Sequence, residues 1–318
     1  MDETRPVLNA LSAEALGRYT TEQPNEASRD IDSKSALEIV TIINNEDRKV
    51  PIAVEKILPE IAALVDDIVA AFKKGGRLIY IGAGTSGRLG VLDASECPPT
   101  YGVDPGMVRG LIAGGREALT ASIEAAEDRA GEGVKELEAM GFSEKDVLVG
   151  ITASGQAPYV LGALDYARGI GAVTAAISSN ADSKTFDYAR HRLYVDVGPE
   201  VVTGSTRMKS GTAQKLVLNM LTTAAMIRVG KVYRNLMVDL KPVNHKLMLR
   251  SLRLIREVTG CSENEARSAL EASARQPKIA IVMVLLGVDM EKAGRLLEEE
   301  NGHISAIMEK RKSGLYEK

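Results

Sequence analysis

One glutamate of this sequence stands close to a pair of prolines, which restrict the conformation of the backbone. Glu96 is followed closely by Pro98-Pro99, and proline fixes its own φ angle. A solvated surface acid would not need such rigid surroundings, whereas a general acid or base must be held in position. The sequence therefore predicts that Glu96 lies on a braced loop at a site of reaction.

Three further carboxylates are candidates with weaker patterns. Glu127 stands among other acidic residues on a helix predicted over 117–140, with a break at 131–133, and this pattern alone favours a solvated face. Glu200 follows a Gly-Pro pair at a strand end, where a role in ligand binding and a structural role are equally open. Asp93 is expected to support a turn.

Hydroxyl side chains gather in three loops, each of which follows a predicted strand. The loops are 82–87, 152–156 and 198–207. Backbone N–H groups of a tight glycine turn, together with hydroxyls at a helix N-terminus, suit a phosphate group. We therefore predict a phosphate-bearing ligand. The residues predicted to contact it are Gly84, Thr85, Ser86, Ser154, Gly155, Gln156, Glu200, Ser205 and Thr206.

Other classes of site are disfavoured. The loop 82–87 matches G-x-G-x-x-G, but a dinucleotide site also needs an acid at the end of the second strand, where this chain has Ala113-Gly-Gly115. No P-loop pattern occurs, and the three histidines are scattered without the spacing of a zinc site. Cys97 has no nearby cation that would activate its thiol. We expect neither a cofactor nor a metal ion.

The hydroxyl loops are positioned by strands that alternate with helices. Apolar runs rich in β-forming residues predict five strands, at 78–81, 108–112, 146–151, 172–178 and 193–197. Helical periodicity predicts helices at 35–45, from 50 to 74, at 159–169 and at 212–229. This alternation implies a doubly wound parallel sheet between two helical layers. Ligands of such sheets bind beyond the carboxyl ends of the strands, where the hydroxyl loops should meet.

The chain length of 318 residues suggests one large and one smaller domain. We predict an N-terminal arm and helix over 1–50, a sugar-phosphate-binding α/β domain over 51–230 and a helical domain over 231–318. Part of the arm, residues 20–28, could lie on the surface or cross a dimer interface. A capping-box pattern at Ser262 predicts the start of one C-terminal helix.

Composition excludes several classes of partner and location. The net charge of −3 indicates neither nucleic acid nor anionic membrane as a partner. No apolar stretch reaches the roughly 18 residues that a membrane span needs. The first residues do not resemble a secretory signal, and two distant cysteines fit a reducing compartment. We therefore expect a cytoplasmic protein.

Four segments of the chain, in unchanged order, resemble those of the N-acetylmuramic acid 6-phosphate etherases. The first contains Gly-Thr-Ser-Gly-Arg and Ser-Glu-Cys-Pro-Pro, and the third contains Gly-Thr-Ala-Gln-Lys-Leu. The resemblance runs from about residue 20 to the end and is more specific than that of a generic sugar isomerase (SIS) domain. The segments are 78–102, 198–209, 211–219 and 235–239.

The resemblance implies a cytoplasmic homodimer with a SIS domain and a small C-terminal helical domain. It implies cleavage of the lactyl ether of N-acetylmuramic acid 6-phosphate to N-acetylglucosamine 6-phosphate and (R)-lactate, in cell-wall sugar recycling, without metal or cofactor. The family's acid, in Ser-Glu-Cys-Pro-Pro, matches Glu96 here. Its second glutamate, in Glu-x-Ala-Glu-Asp, matches Glu127, and the variable position holds alanine rather than the commoner glycine.

Two carboxylates suit this chemistry, because the lactyl group would otherwise leave as an alkoxide. In the ring-opened sugar the C1 aldehyde acidifies the C2 proton. Glu127 would remove that proton while Glu96 protonates the ether oxygen, and water would then add to the unsaturated aldehyde. Each such group typically contributes about 10²–10⁴-fold. The two acids need different environments, and we expect the loop around Glu96 to supply the drier one.

Two alternatives remain open from sequence. An aldose–ketose isomerase of the same fold would use Glu200 as its base. A non-catalytic sugar-phosphate regulator, similar to the glucokinase regulatory proteins, would share several of the motifs. Those regulators carry two SIS domains, however, and this chain has room for one.

Overall fold

The computed structural model describes residues 13–242 and 244–313, with a five-stranded parallel sheet in the first part of the chain. The strand order is β2-β1-β3-β4-β5. All five predicted strands are present, although β5 begins and ends earlier than predicted, so the predicted α/β class is confirmed. The strands are β1 Leu78–Gly82, β2 Val108–Ile112, β3 Val147–Ile151, β4 Val173–Ser178 and β5 His191–Tyr194.

Helices connect the strands and make up most of the chain beyond β5. The α-helices up to residue 228 are α1 Ala13–Leu16, α2 Ala36–Asp47, α3 Lys49–Glu55, α4 Leu58–Lys73, α5 Gly84–Tyr101, α6 Ala130–Ala139, α7 Pro158–Gly169 and α8 Lys209–Arg228. A short hairpin follows, formed by β6 Val232–Tyr233 and β7 Leu236–Met237. The remaining helices are α9 His245–Thr259, α10 Glu263–Ala272, α11 Pro277–Leu286, α12 Met290–Glu299 and α13 Ile304–Lys312.

The central strands β1 and β3 are buried along their whole length. Ile79 and Ile81 of β1 and Leu148 of β3 belong to a core cluster with Leu137 of α6 and Leu164 of α7. Because alternate residues of a strand face opposite sides, the remaining residues of β1 face the other layer. Helices on both faces explain why these strands are apolar at every position.

The strand order reverses between β1 and β3, and this is where ligands of doubly wound sheets bind. The ends of the two strands approach each other closely. A Cβ atom on Gly82 would lie 2.8 Å from the backbone nitrogen of Gly87 and 3.0 Å from the carbonyl oxygen of Ile151. Glycine at 82 therefore allows the turn after β1 to fold back beside β3.

The predicted helix over 117–140 is wrong in its first half. Two short 3-10 turns, Gly115–Leu119 and Glu124–Ala126, occupy this stretch, and α6 begins only at Ala130. Glu127 accordingly lies in the turn before α6. It is exposed, but it is not part of a helix face.

The predicted break at Gly131 and Gly133 is also wrong, because both glycines lie inside α6. A Cβ atom on Gly133 would lie 2.7 Å from the carbonyl oxygen of Tyr159 in α7. From the other side, a Cβ atom on Gly162 would lie 2.4 Å from the carbonyl oxygen of Ala130. These glycines permit the close packing of two helices and do not interrupt either one.

The predicted loop around Glu96 is wrong as well. Glu96 lies in the C-terminal half of α5, which continues through Pro98 and Pro99 to Tyr101. Proline removes a helical hydrogen bond, but its φ angle is compatible with a helix, so the pair does not end α5. Glu96 is exposed, which also contradicts the expected dry environment.

The single helix predicted from residue 50 to 74 consists of two helices, α3 and α4. Pro59 stands in the first turn of α4, where a proline has no intrahelical hydrogen bond to lose. It therefore marks the start of the second helix.

The chain divides into two compact units, and the division falls within α5 and α8. The first unit consists of residues up to 94 and Gly106–Leu221, and the second of Ser95–Pro105 and residues from 222 onward. The second unit has its own apolar core, which includes Leu252, Ile255 and Leu270. The capping box predicted at Ser262 is confirmed at the start of α10. The predicted boundaries at residues 50 and 230 stay predictions.

Within residues 13–242 and 244–313, none of the helices combines the length and apolar character that crossing a membrane would require.

Candidate functional site

The N-terminus of α5 directly follows β1 and is open. Gly84 begins the helix with a φ of 52°, a left-handed value that side chains other than glycine rarely adopt. The first backbone N–H groups of a helix have no acceptor within the helix. Among the described residues, none accepts a hydrogen bond from the N–H of Gly84, Thr85 or Ser86. These donors can therefore bind an anion.

Glu127 lies at this open N-terminus. It lines a small cavity of about 70 Å³ together with Gly84, Arg88, Ser122 and Ile123. The guanidinium of Arg88, in α5, donates to the carbonyl oxygens of residues 119 and 121, at 3.2 and 2.8 Å. These hydrogen bonds hold the segment just before Glu127 against α5. The carbonyl oxygen of Glu127 accepts a hydrogen bond from the N–H of residue 159 in α7. Glu127 thus lines the same cavity as Gly84, the first residue of α5.

The loop after β3 uses its hydroxyls on itself. Thr152 Oγ1 accepts from the N–H of Gly155 at 3.2 Å, and Ser154 Oγ accepts from the N–H of Gln156 at 3.3 Å. Asn180 donates to the carbonyl oxygen of Ser154. The side-chain nitrogen of Gln156 is buried and has no hydrogen-bond partner among the described residues. Its amide is therefore a donor of this loop that remains for a ligand.

The N-terminus of α8 is closed by Glu200, which is fully buried. Its two carboxylate oxygens accept from the N–H groups of Lys209 and Ser210, at 3.0 and 2.9 Å. The next two N–H groups of α8 donate to the carbonyl oxygens of Thr206 and Met208. A carboxylate at a helix N-terminus is stabilised by the helix dipole. The predicted contact between Glu200 and a ligand stays a prediction, and both its oxygens are already engaged.

Lys209 forms a buried ion pair with Glu46. Their side chains are only 1% and 4% exposed, and Lys209 Nζ lies 2.7 Å from Glu46 Oε2. Asn25 and Lys49 also donate to Glu46. Burial raises the pKa of the Glu46 carboxyl, but the hydrogen bonds from Lys209, Lys49 and Asn25 outweigh burial and lower that pKa to about 2. The Lys209 ammonium is therefore buried and paired within the chain, and it is not surface charge.

The arm at residues 20–28 packs on loops of its own chain. Thr21 exchanges hydrogen bonds with the Asn180 side chain after β4, and its carbonyl oxygen accepts from the N–H of Gly204. Ser28 Oγ donates to the carbonyl oxygen of Val201 at 2.7 Å. The arm therefore supports the loops at the carboxyl edge of the sheet.

Gln214 is a residue of this region that the sequence predictions missed. Ser86 Oγ donates to Gln214 Oε1 at 2.9 Å, and both side chains are buried. The signal in the sequence was a polar residue among the buried apolar residues of α8, such as Ala213 and Val217. The first turn of α8 also touches the loop after β1, because a Cβ atom on Gly211 would lie 3.4 Å from the Thr85 methyl group.

The structure thus brings Gly84, Thr85 and Ser86 together with Glu127 and the first turn of α8. Glu96 is not among the residues that line the cavity of Glu127. In residues 13–242 and 244–313, no cluster of three or more His, Cys, Asp and Glu side chains could hold a metal ion.

Comparison with protein families matches three parts of the chain. A SIS domain model matches residues 130–224, the N-terminal SIS domain of glucokinase regulatory protein matches residues 60–168, and the C-terminal lid domain of the same protein matches residues 234–281. The parallel sheet described above therefore belongs to the SIS type.

Solved structures of phosphoheptose isomerases have a similar sheet. The isomerase from Francisella tularensis aligns with a TM-score of 0.47 and 16% identity, covering 61% of this chain and 100% of that chain. The isomerase from Neisseria gonorrhoeae aligns with a TM-score of 0.46 and 17% identity, covering 60% and 98%. Both likenesses concern the fold alone.

Curated relatives are far more similar. The N-acetylmuramic acid 6-phosphate etherase of Glaesserella parasuis is 57% identical over 290 residues, which cover 91% of this chain and 95% of the relative. The N-acetylmuramic acid 6-phosphate etherase 2 of Vibrio cholerae is 55% identical over 295 residues, covering 93% and 96%. Identity at this level along almost the whole length shows the family: the chain belongs to the N-acetylmuramic acid 6-phosphate etherases.

Proposed function

We propose that this chain cleaves the lactyl ether of N-acetylmuramic acid 6-phosphate and releases N-acetylglucosamine 6-phosphate and (R)-lactate. The observation that carries the proposal is the shared cavity of Glu127 and Gly84. Because Glu127 and the first residue of α5 line one cavity, the structure supports a base that acts close to an anion bound at this helix N-terminus. Such a helix end attracts a phosphate through its N–H groups and its dipole.

In the proposed reaction the 6-phosphate lies at the N-terminus of α5, and the sugar reacts in its open-chain form. Glu127 takes the C2 proton, which the C1 aldehyde acidifies. Glu96 donates a proton to the ether oxygen while the C3–O bond breaks, so (R)-lactate leaves as an alcohol. Water then adds at C3 of the unsaturated aldehyde: Glu96, now a carboxylate, takes its proton, and Glu127 returns the proton to C2. The sum of these steps is hydrolysis, and binding at the phosphate positions C2 and C3.

We further propose a cytoplasmic homodimer. Three large apolar side chains on α2 and α3 support a protein interface, because Leu37, Val40 and Ile52 are each more than half exposed. Contiguous exposed apolar side chains commonly mark such contacts, and Leu37 and Val40 lie three residues apart on one side of α2. A second chain would also be one way to cover Glu96, which is exposed in the single chain.

An isomerase with Glu200 as its base fits the structure less well. The Glu200 carboxylate is fully buried, and both of its oxygens accept hydrogen bonds from α8. A base in this position would lose the contacts that hold the start of the helix. The etherase proposal needs no proton transfer at Glu200.

The decisive experiment is incubation of the protein with N-acetylmuramic acid 6-phosphate in D₂O, with assays for lactate and for deuterium at C2. We expect Glu127→Gln to lose both activities by about 10²–10⁴-fold. We expect Glu96→Gln to lose lactate release but to keep exchange at C2. Glu144→Gln, at an exposed position, is the matched control and should behave like the wild type.

Absence of lactate from the wild type would contradict the etherase proposal. Loss of C2 exchange in Glu96→Gln, with exchange retained in Glu127→Gln, would reverse the assignment of acid and base.

A further inference from the structure

Two buried polar groups on α8 have no hydrogen-bond partner among the described residues. They are the side-chain nitrogen of Gln214 and the hydroxyl of Ser210, in side chains that are 2% and 1% exposed. Residues four apart on a helix lie on one face, so the two groups are neighbours. Burying a polar group without a partner is unfavourable, and native proteins seldom keep such groups without a reason.

Capping of the N-terminus of α8 does not explain why these two side chains are buried without partners. The first two N–H groups of the helix are bound by Glu200, and the next two by carbonyl oxygens of the preceding turn. The helix end is therefore complete without the side chains of Ser210 and Gln214. Their free donors must serve something other than capping.

Gln214 is held at the open N-terminus of α5. Its side-chain oxygen accepts a hydrogen bond of 2.9 Å from the hydroxyl of Ser86. Ser86 belongs to the first turn of α5, in which three successive N–H groups have no acceptor among the described residues. In either orientation of the Gln214 carboxamide, the pair with Ser86 keeps at least one donor without an acceptor.

The unpaired donor of Gln214 is thus linked through Ser86 to a helix end whose first N–H groups have no acceptor from the described chain. A phosphate monoester suits this arrangement, because its terminal oxygens accept several hydrogen bonds each and its charge is favoured at a helix N-terminus. A neutral carboxamide supplies a donor without adding charge. A sugar hydroxyl, by contrast, would satisfy only one or two of these donors.

We propose that Gln214 is a phosphate-binding residue, which donates from its carboxamide to a phosphate oxygen held at the N-terminus of α5. Ser86 fixes the orientation of that carboxamide. The identity of the sugar rests on the proposed function, whereas the contact with phosphate rests on the unpaired donors. Gln214 is in this view a residue of substrate binding and takes no part in proton transfer.

The test compares Gln214→Met with the wild type, using inorganic phosphate as the probe. Phosphate should inhibit lactate release competitively, and its inhibition constant should rise about tenfold to a hundredfold in Gln214→Met, as expected for loss of one hydrogen bond to a charged group. KM for N-acetylmuramic acid 6-phosphate should rise by a similar factor. The value of kcat should change little, because the contact is made equally in the ground and transition states.

Gln214→Glu should weaken phosphate binding more strongly than Gln214→Met does, because it places a carboxylate beside the anion. The matched control is Gln276→Glu, which makes the same charge change at an exposed position of the second compact unit. It should leave the inhibition constant for phosphate and KM unchanged. The double variant Ser86→Ala/Gln214→Met tests whether weaker phosphate binding results from a loss of folding stability. This double variant removes both partners of the hydrogen bond and should unfold at or above the wild-type temperature.

The outcomes separate this proposal from the proposed function. Lactate release by the wild type, with an unchanged inhibition constant for phosphate in Gln214→Met, would overturn the role of Gln214 alone. An increase in KM without an increase in that inhibition constant would mean that Gln214 contacts the sugar and not the phosphate. This result would also overturn the proposed role of Gln214. If the wild type releases no lactate, calorimetric titration of wild type and Gln214→Met with inorganic phosphate still decides the role of Gln214.

Discussion

The N-termini of α5 and α8 make a natural comparison within one unit of this protein. α8 follows β5 through a loop rich in Gly, Ser and Thr, whereas α5 follows β1 almost directly and has Gly84, Thr85 and Ser86 in its first turn. At α8 the buried carboxylate of Glu200 binds the first two N–H groups, and the preceding turn binds the next two. At α5 the N–H groups of Gly84, Thr85 and Ser86 find no acceptor among the described residues.

The difference shows two uses of the same physical property. A helix N-terminus favours a negative charge, and among the described residues a carboxylate accepts hydrogen bonds from the first N–H groups of α8 but not from those of α5. A built-in anion stabilises the fold at all times, whereas a ligand stabilises it only when that ligand is bound. Donors reserved for a substrate therefore reduce the stability of the free protein, a common compromise at functional sites.

Breaking the ion pair beneath the closed helix end should have the largest effect on stability. Lys209→Met leaves Glu46 buried without its buried partner, and removal of one member of such a pair typically costs about 3–5 kcal/mol. Urea denaturation measures the change. Lys215→Met, at an exposed position of the same helix, is the control and should stay within about 0.5 kcal/mol of wild type. Equal losses in the two variants would contradict a special role for Lys209.

Acid should weaken the closed helix end next most strongly. The folded-state pKa of Glu46 is about 2, below its ordinary value of 4.5. The Glu46 carboxylate thus contributes about 3 kcal/mol to stability above pH 4.5, and this contribution is lost as the pH falls toward 2. Unfolding free energies of wild type and Glu46→Gln, measured across this range, should converge on acidification. A constant difference would show that titration of Glu46 is not involved.

Removing the built-in anion should make α8 resemble α5. Glu200→Ala leaves two N–H groups of α8 without acceptors and should reduce the free energy of unfolding by about 2 kcal/mol. Added formate or phosphate could occupy the vacated place, so each should raise the melting temperature of Glu200→Ala more than that of the wild type. Equal shifts in both proteins would mean that the N–H groups of α8 do not bind anions when Glu200 is absent.

The smallest effect concerns the geometry of the open helix end. Gly84 has a φ of 52°, and a Cβ atom there would meet nothing within 4 Å. Gly84→Ala should therefore destabilise the protein by about 1 kcal/mol through backbone conformation alone. Gly294→Ala in α12 also meets no neighbour but has an ordinary helical φ, so it should stabilise the protein instead. Thermal unfolding of the two variants measures both changes. A change in melting temperature in the same direction for both variants would contradict a special backbone conformation at Gly84.

Much of the fold could be predicted from local patterns. The five strands are apolar because both faces of the sheet are covered, so each stands out as a short run of β-forming residues. A helical domain was predicted for residues 231–318, and the capping box of Ser262 was predicted from its spacing to an acid three residues on. These features depend on near neighbours in the sequence.

Predictions failed where distant residues decide the local structure. The glycines at 131 and 133 were interpreted as a break, but both lie inside α6, and the lack of a side chain at Gly133 serves the packing of α6 on α7. Pro98-Pro99 was interpreted as a loop, although α5 continues through both residues. Glu127 was interpreted as a solvated helix residue, and only the family resemblance identified it as a candidate base. Its position beside α5 depends on hydrogen bonds that Arg88 makes across the turn.

The sequence by itself determined the parallel α/β sheet, the glycine and hydroxyl loops at its carboxyl edge and, through long and specific motifs, the family of the protein. Only the tertiary structure decided which helix end is free to bind an anion. Glu200 lies nine residues before the N–H that it binds, Glu46 lies 163 residues before its partner Lys209, and Ser86 lies 128 residues before Gln214. Hydrogen bonds over such separations depend on how the chain folds back on itself, and no local pattern encodes them.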